Sequence, residues 1–425
     1  MTATTASGAP AGASLSVTGA RQVLRPPVDG LEFLRHDRAG ELTTEGSAVA
    51  VADGAIRAFD PDPDAAVHID ATGCSIVPGF VDCHTHLPFA GWRAGEYEQR
   101  VTGVPYEEIS RAGGGIAASA RAFAQATDGQ VLDQATGLAA EMLSHGTTAF
   151  ECKSGYGLSI EAELRSLRLA AELDARVAQT TVSTALLAHA IPPGESADHW
   201  LDAVEAALGQ VVDETRATAL DIFVETMAFD NDHLARAGAM AAAHDLDLRC
   251  HVEQLATHRS VPVALAAHAR SVDHLACLHP DDIAPLAAAT CAAVLLPGAE
   301  FLCDERLAPA RQLADAGAIC VLATDANPGT SPVVSMPLII GLAVRRYGWT
   351  AKEALLASTL NAAWTIGCSE RIGSLEVGKR ADLLLLDGGI EDIAYRFGRN
   401  PVVAAVIGGQ IAWIRPDAEV RVHLA

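Results

Sequence analysis

Residues 75–93 read SIVPGFVDCHTHLPFAGWR: an apolar run that ends in two histidines one residue apart, with a lone arginine seven residues further on. A short apolar run bounded by glycine and proline reads as a buried strand. Successive side chains of a strand point to opposite faces, so His84 and His86 are expected to project together while Thr85 turns into the packing layer. Two neutral imidazoles on one face make half of a divalent metal site. By itself H-x-H also fits core histidines bonded to backbone groups, so the rest of the chain has to decide.

Outward from this run, similar apolar stretches alternate with Ala- and Leu-rich helical ones. TTAFECK, TTVSTALLAH, ALDIFVE, DLRCHVE, SVDHL, AAVLLPG and ICVLATD bring the strand candidates to eight. EAELRSLRLAAELDA, HLARAGAMAAAHD, VPVALAAHA and DDIAPLAAAT, lying between them, carry apolar residues at three- and four-residue spacing. Eight βα units over about 300 residues predict an α/β fold, a (β/α)8 TIM-like barrel over 78–375. Both chain ends are instead rich in short strand candidates such as AVAVADGAIRAF, ADLLLLDGG and VAAVIGGQIAWIRP. They predict one small β-sandwich domain assembled from 15–77 and 376–425, with 1–14 as a disordered tail.

Composition narrows the function classes. A formal charge of −23, with three lysines against 27 arginines, speaks against nucleic acid or an anionic membrane surface as partner. No stretch is long and apolar enough to span a bilayer, and the N-terminus lacks the pattern of a secretory signal, so the expected location is the cytoplasm. Nine cysteines with no C-x-x-C pair fit buried free thiols rather than a disulfide framework. An acidic surface does not exclude an anionic substrate, because screening cuts off exposed charges beyond roughly 8 Å and the groups lining the pocket decide.

Almost every predicted strand ends in a polar or ionisable residue: His84 and His86, Lys153, His189, Glu225, His251, His274 and Asp325. Barrel enzymes build their sites at the C-terminal strand ends, so these side chains are expected to converge on one mouth. His84, His86, His251 and Asp325 make a nitrogen and oxygen set suited to one Zn or Fe ion with a position left for water. Asp325 alone also fits a turn aspartate before NPG. His274 could also be a ligand, but four ligands already nearly fill a catalytic shell, so it is assigned a hydrogen-bonding role toward substrate or a metal-bound hydroxide. Lys153 admits two readings, a carbamylated metal ligand or a cation holding carboxylates such as Glu151 or Glu225.

These residues resemble the amidohydrolase superfamily and, within it, the imidazolonepropionase family. The likeness spans most of the chain and rests on HTHLPFAGWR, KSGYGL, AHAIPP, HVEQL, SVDHL, VLLPGAEF, LATDANPGTSP and GSLEVGKRADLLLLD. The stretch after GGGI departs from it, reading AASARAF where T-V-x-x-T-R is expected. The resemblance implies metal ligation by His84, His86, His251 and Asp325, and substrate contacts from Arg93, Tyr156, His189, Gln254, Asn327, Gly329 and Thr330. It implies a divalent or trivalent Zn or Fe cofactor, a homodimer, and a small anionic cyclic amide as substrate.

The implied reaction is hydrolytic ring opening of 4-imidazolone-5-propanoate to N-formimidoyl-L-glutamate in histidine degradation, by metal-bound hydroxide attack on the lactam carbonyl. Asp325 would move the proton, His274 would stabilise the oxyanion, and Gln254 and His189 would orient the ring. Arg93, otherwise readable as a surface loop arginine, would hold the propionate carboxylate through a bidentate pair. Rival readings are a related five-membered ring, such as a hydantoin or thiohydantoin propionate, and a heterocycle deaminase. Deaminases of this superfamily use a glutamate three residues after the third histidine, where this chain has Gln254.

Overall fold

The computed structural model describes residues 13–303 and 306–424. The tail expected over 1–14 lies outside these up to residue 12, and Ser14 already belongs to the fold: its carbonyl accepts from the Val67 amide at 3.0 Å. Six short strands come first, β1 (Leu15–Thr18), β2 (Gln22–Val23), β3 (Val49–Ala52), β4 (Ala55–Ala58), β5 (Val67–Asp70) and β6 (Cys74–Pro78). Eight parallel strands follow: β7 (Phe80–Asp82), β8 (Thr147–Lys153), β9 (Thr180–Ala188), β10 (Ala217–Phe223), β11 (Asp247–Val252), β12 (Ser271–His274), β13 (Ala292–Leu295) and β14 (Ile319–Leu322). The chain closes with β15 (Leu383–Asp387), β16 (Val402–Ile407), β17 (Gln410–Ile414) and β18 (Val422–Leu424).

The eight central strands pair in sequence order from β7 to β14, with helices between them, which is the (β/α)8 arrangement. The two ends of the chain build two further sheets, ordered β18-β5-β1-β3-β4 and β17-β16-β15-β6-β2. Each mixes strands from both termini, so neither end can complete its sheet alone.

The run 75–86, read as one strand, is divided between two sheets. β6 pairs antiparallel with β15 in a terminal sheet, whereas β7 pairs parallel with β8 in the barrel. The physical reason is Pro78–Gly79. Proline ends the ladder because it has no amide hydrogen, and a Cβ on residue 79 would lie 2.0 Å from Thr148 Oγ1. The Gly79 amide donates to Asp382 O at 3.0 Å, and the chain turns into the barrel.

β15 locks the two parts together by alternation. Leu383 and Leu385 point into the core between the terminal sheets, while Leu384 and Leu386 belong to the core that wraps the barrel. Leu384 is fully buried. We expect Leu384→Ala to destabilise the protein by about 2–5 kcal/mol, the range for a leucine removed from a close-packed core, read as a lower denaturation midpoint.

Candidate active site

β7 and β14, the first and last barrel strands, are too short to meet along their length, and the seam closes just beyond their ends. The Asp325 amide donates to His84 O at 3.0 Å and the His86 amide to Ala326 O at 2.9 Å, forming a parallel bridge between Thr85 and Ala326. Below it Asp82 accepts from the Thr324 amide at 3.0 Å and the Thr324 hydroxyl at 2.6 Å. The backbone that closes the barrel therefore carries His84, His86 and Asp325. Asp325 (φ 54°) and His274 (φ 83°) both adopt the left-handed backbone region, which is costly for non-glycine residues and persists where surrounding structure over-determines it.

His84, His86 and Asp325 form one group of potential ligand atoms mutually within 4.8 Å, and His84, His251 and His274 form another. Asp325 Oδ1 stands 3.3 Å from His86 Nε2 and 3.5 Å from His84 Nε2. His84 Nε2, His251 Nε2 and Asp325 Oδ2 are buried without a hydrogen-bond partner among the described residues. Buried polar atoms left unpaired are costly, and a metal ion held where the two groups meet at His84 would satisfy them. Burial, reinforced by the charges of neighbouring groups, holds His84 and His86 well below the usual imidazole range. They are neutral, the state that ligates. Burial pushes His274 down to about 3 despite the nearby Asp325 carboxylate, and it pushes Asp325 up.

Behind the ligand set lies a layer that strand-end reasoning missed. His84 Nδ1 is 2.6 Å from Asp273 Oδ2, and His251 Nδ1 is 3.0 Å from Asp221 Oδ1. Lys153 Nζ donates to Asp221 Oδ2 at 2.6 Å and to Glu151 Oε1 at 3.2 Å. It does not hold Glu225, which instead accepts from the Leu255 amide at 3.0 Å and pairs with His258 at 2.8 Å. Although burial and Arg249 oppose it, the Asp221, Glu151 and Asp273 carboxylates raise the Lys153 ammonium above its ordinary value. Burial would push Asp221 up, yet His251 and Lys153 hold it well below the carboxylate range. A pattern signal existed: Glu151, Asp221, Arg249 and Asp273 are charged residues inside otherwise apolar runs.

Above the ligands opens a cavity of about 800 Å³, counted out to its mouth, lined by His86, Arg93, Tyr156, His189, His251, Gln254, His274, Asp325, Asn327 and Thr330. Two residues of the expected set do not line it. His84 lies deeper, fully buried, and Gly329 sits under the Arg93 side chain, where a Cβ would fall 1.6 Å from Nη2. Arg93 is further held by Ser119 Oγ at 3.0 Å and Glu96 Oε2 at 3.2 Å. Ser119 comes from the divergent AASARAF stretch, which thus reaches the site through Arg93. Asn327 Oδ1 accepts from the Gly329 and Thr330 amides at 2.8 and 2.7 Å, which fixes the turn beneath the guanidinium. Arg100, Phe223, Glu300 and Cys303 also line the cavity and were not anticipated. Nothing in their local sequence marks them, because they come from separate elements, Arg100 from the helix Ala94–Val101, Phe223 from the end of β10, and Glu300 and Cys303 from the helix Pro297–Cys303.

The Amidohydrolase family model matches residues 75–412. Imidazolonepropionase from Cupriavidus pinatubonensis is 42% identical over 348 residues, covering 80% of this chain and 82% of that protein. Imidazolonepropionase from Xanthomonas euvesicatoria is 40% identical over 386 residues, covering 90% of this chain and 93% of that protein. The chain belongs to the imidazolonepropionase branch of the amidohydrolase family. Among solved structures, an adenosine deaminase from Xanthomonas campestris with bound zinc superposes with a TM-score of 0.70 at 21% identity, covering 96% of this chain and 94% of that one. At that identity the match speaks for the fold.

Three residues after His251, at the position where the deaminase reading requires a glutamate, this chain has Gln254. Gln254 lines the cavity, while Glu253 turns back to accept from the Ser260 amide at 2.7 Å and the His258 amide at 3.1 Å. Among the described residues no helix is long and apolar enough to cross a membrane, and all nine cysteines are free thiols. Replacing Gly329 by alanine should expel the Arg93 guanidinium from its seat. We expect KM for a carboxylate-bearing substrate to rise about tenfold or more, the worth of a charge-assisted hydrogen bond, with thermal stability nearly unchanged.

Proposed function

We propose that the site opens the ring of 4-imidazolone-5-propanoate by hydrolysis of its lactam bond, with His84, His86, His251 and Asp325 holding one Zn or Fe ion. The carrying observation is that unpaired lone pairs of buried ligating groups and an arginine fixed by three separate contacts belong to one cavity. Such an ion, when bound, supplies Lewis acidity and lowers the pKa of water toward neutrality.

The chain's own residues do the rest. Arg93 binds the propionate carboxylate through its forked donors, with the Tyr156 phenol as a further donor. That anchors the ring over the cavity floor and converts the attack into an intramolecular event. Asp325 takes a proton from the attacking water at its free Oδ2 and returns it to the departing ring nitrogen, a role suited to a carboxylate whose pKa burial has raised. His274, neutral at physiological pH, donates to the oxygen on which charge develops. Gln254 and His189 orient the ring; His189 is held by the Gly155 carbonyl 3.0 Å from its Nδ1. An amide at 254 cannot shuttle protons, which favours lactam hydrolysis over deamination.

The division into a barrel over 78–375 and a composite domain from 15–77 with 376–425 is proposed with this reading, as are a cytoplasmic setting and a homodimer. Free thiols suit a reducing compartment. Phe301, Tyr395 and Phe397, exposed around an apolar groove, suit self-association.

Following ring opening by its ultraviolet absorbance, before and after chelation and after metal is restored, tests the reading directly. We expect Asp325→Asn to lower kcat by two or more orders of magnitude whether or not the metal is retained; a variant with near-normal kcat overturns the proton-transfer role. Arg93→Met should raise KM for the propionate substrate and leave an amide analogue little affected. Equal losses for both would assign Arg93 to structure.

A further inference from the structure

Resting on the metal reading of this site, we propose that Lys153 and Arg249 are positioning residues: they pin Asp221 and Asp273 so that His251 and His84 carry their protons on Nδ1 and present Nε2 to the ion. Lys153 binds Asp221 Oδ2 at 2.6 Å and lies 3.8 Å from Asp273 Oδ2. Arg249 places Nη2 3.6 Å from Asp273 Oδ2 and donates from the same nitrogen to Cys83 O at 2.8 Å, the carbonyl immediately before His84. Its Nε donates to Ser271 Oγ at 3.1 Å, and its Nη1 pairs with Glu151, which Lys153 also binds. All five charged side chains are at most 2% exposed.

The chemistry of this layer argues for a function beyond cohesion. Buried ion pairs contribute little net stability compared with apolar packing of the same volume, because desolvation offsets their attraction. A fold needing only a filled barrel would fill it with leucine and valine. Here instead Asp221 gives one oxygen to His251 Nδ1 and the other to Lys153, while Asp273 Oδ2 meets His84 Nδ1 at 2.6 Å with Arg249 Nη2 and Lys153 Nζ 3.6 and 3.8 Å from that same oxygen, which fixes both carboxylates and the tautomer of each ring. Three carboxylates against two cations also leave one excess negative charge beneath the ion. Carbamylation of Lys153 would replace one of the two cations by a further anion between Asp221 and Glu151 and deepen the negative excess from one charge to three, so the lysine acts as a cation.

The experiment is a double-mutant cycle on Zn2+ affinity, measured by competition with a chromophoric chelator for the wild type, Lys153→Met, Asp221→Asn and the double variant. We expect each single change to weaken Zn2+ binding about 10–100-fold, the usual effect of losing a ligand's orienting partner. The double variant should bind no more weakly than Asp221→Asn alone, because the lysine acts through that carboxylate. Losses that multiply would show independent packing roles and overturn the proposal. Should Lys153→Met not fold, nitrogen NMR of the histidine-labelled wild-type apoenzyme decides instead: Nδ1–H tautomers at both His84 and His251 support the proposal, and Nε2–H at either overturns it. A folded wild type that binds no Zn2+ or Fe2+ would remove the metal reading itself, a failure distinguishable from multiplicative losses in a metal-binding protein.

Discussion

The seam between the first and last barrel strands governs this structure. Two short strands cannot close a cylinder by themselves, and the hydrogen bonds that finish the closure run between His84 and Asp325 and between His86 and Ala326. Closing the barrel therefore also sets the positions of three of the four proposed ligands, His84, His86 and Asp325. A change that loosens the seam would displace His84, His86 and Asp325 together. The left-handed backbone at Asp325 shows what is spent to aim a carboxylate inward from a strand end.

Around that seam charge is arranged in depth. The exterior is strongly acidic, yet in the interior each carboxylate has an assigned partner: Asp82 takes the Thr324 amide and hydroxyl, Asp221 and Asp273 take histidines and cations, and Glu163 gathers the amides of Gly155, Gly157 and Leu158. In a poorly solvated interior an unpaired charge is expensive and a paired one is rigid, so these groups act as fixed struts. His84 Nε2, His251 Nε2 and Asp325 Oδ2 are among the buried atoms left without a hydrogen-bond partner. Arg93 follows the same logic at the mouth, where Glu96, Ser119 and the absence of a side chain at Gly329 leave it a single orientation.

Much of the fold was legible because buried parallel strands read as apolar runs and the helices between them keep a 3.6-residue period. Seven of the eight barrel strands lie where those runs predict them, within a few residues at their ends. The run 75–86 was not legible as two strands: hydrophobicity does not record which sheet a residue enters, and the break falls at Pro78–Gly79, where proline ends the ladder and Gly79 packs against Thr148. The ligand candidates could be proposed because strand ends bear polar residues for a reason. Glu151, Asp221, Arg249 and Asp273 could not be placed, since a charged residue within a strand acquires meaning only when its partner on a neighbouring strand is known.

The sequence by itself determined the alternation of strand and helix, the presence of two imidazoles on one extended segment, and a lone arginine close after them, because each depends only on local spacing. The tertiary structure alone decided that Lys153 faces Asp221 rather than Glu225, that Ser119 reaches Arg93 from a divergent helix, and that Arg100 and Cys303 share the cavity wall. The reason is physical: these are contacts between elements far apart in the chain, fixed by how a twisted cylinder of strands closes, and no local pattern of residues carries that geometry.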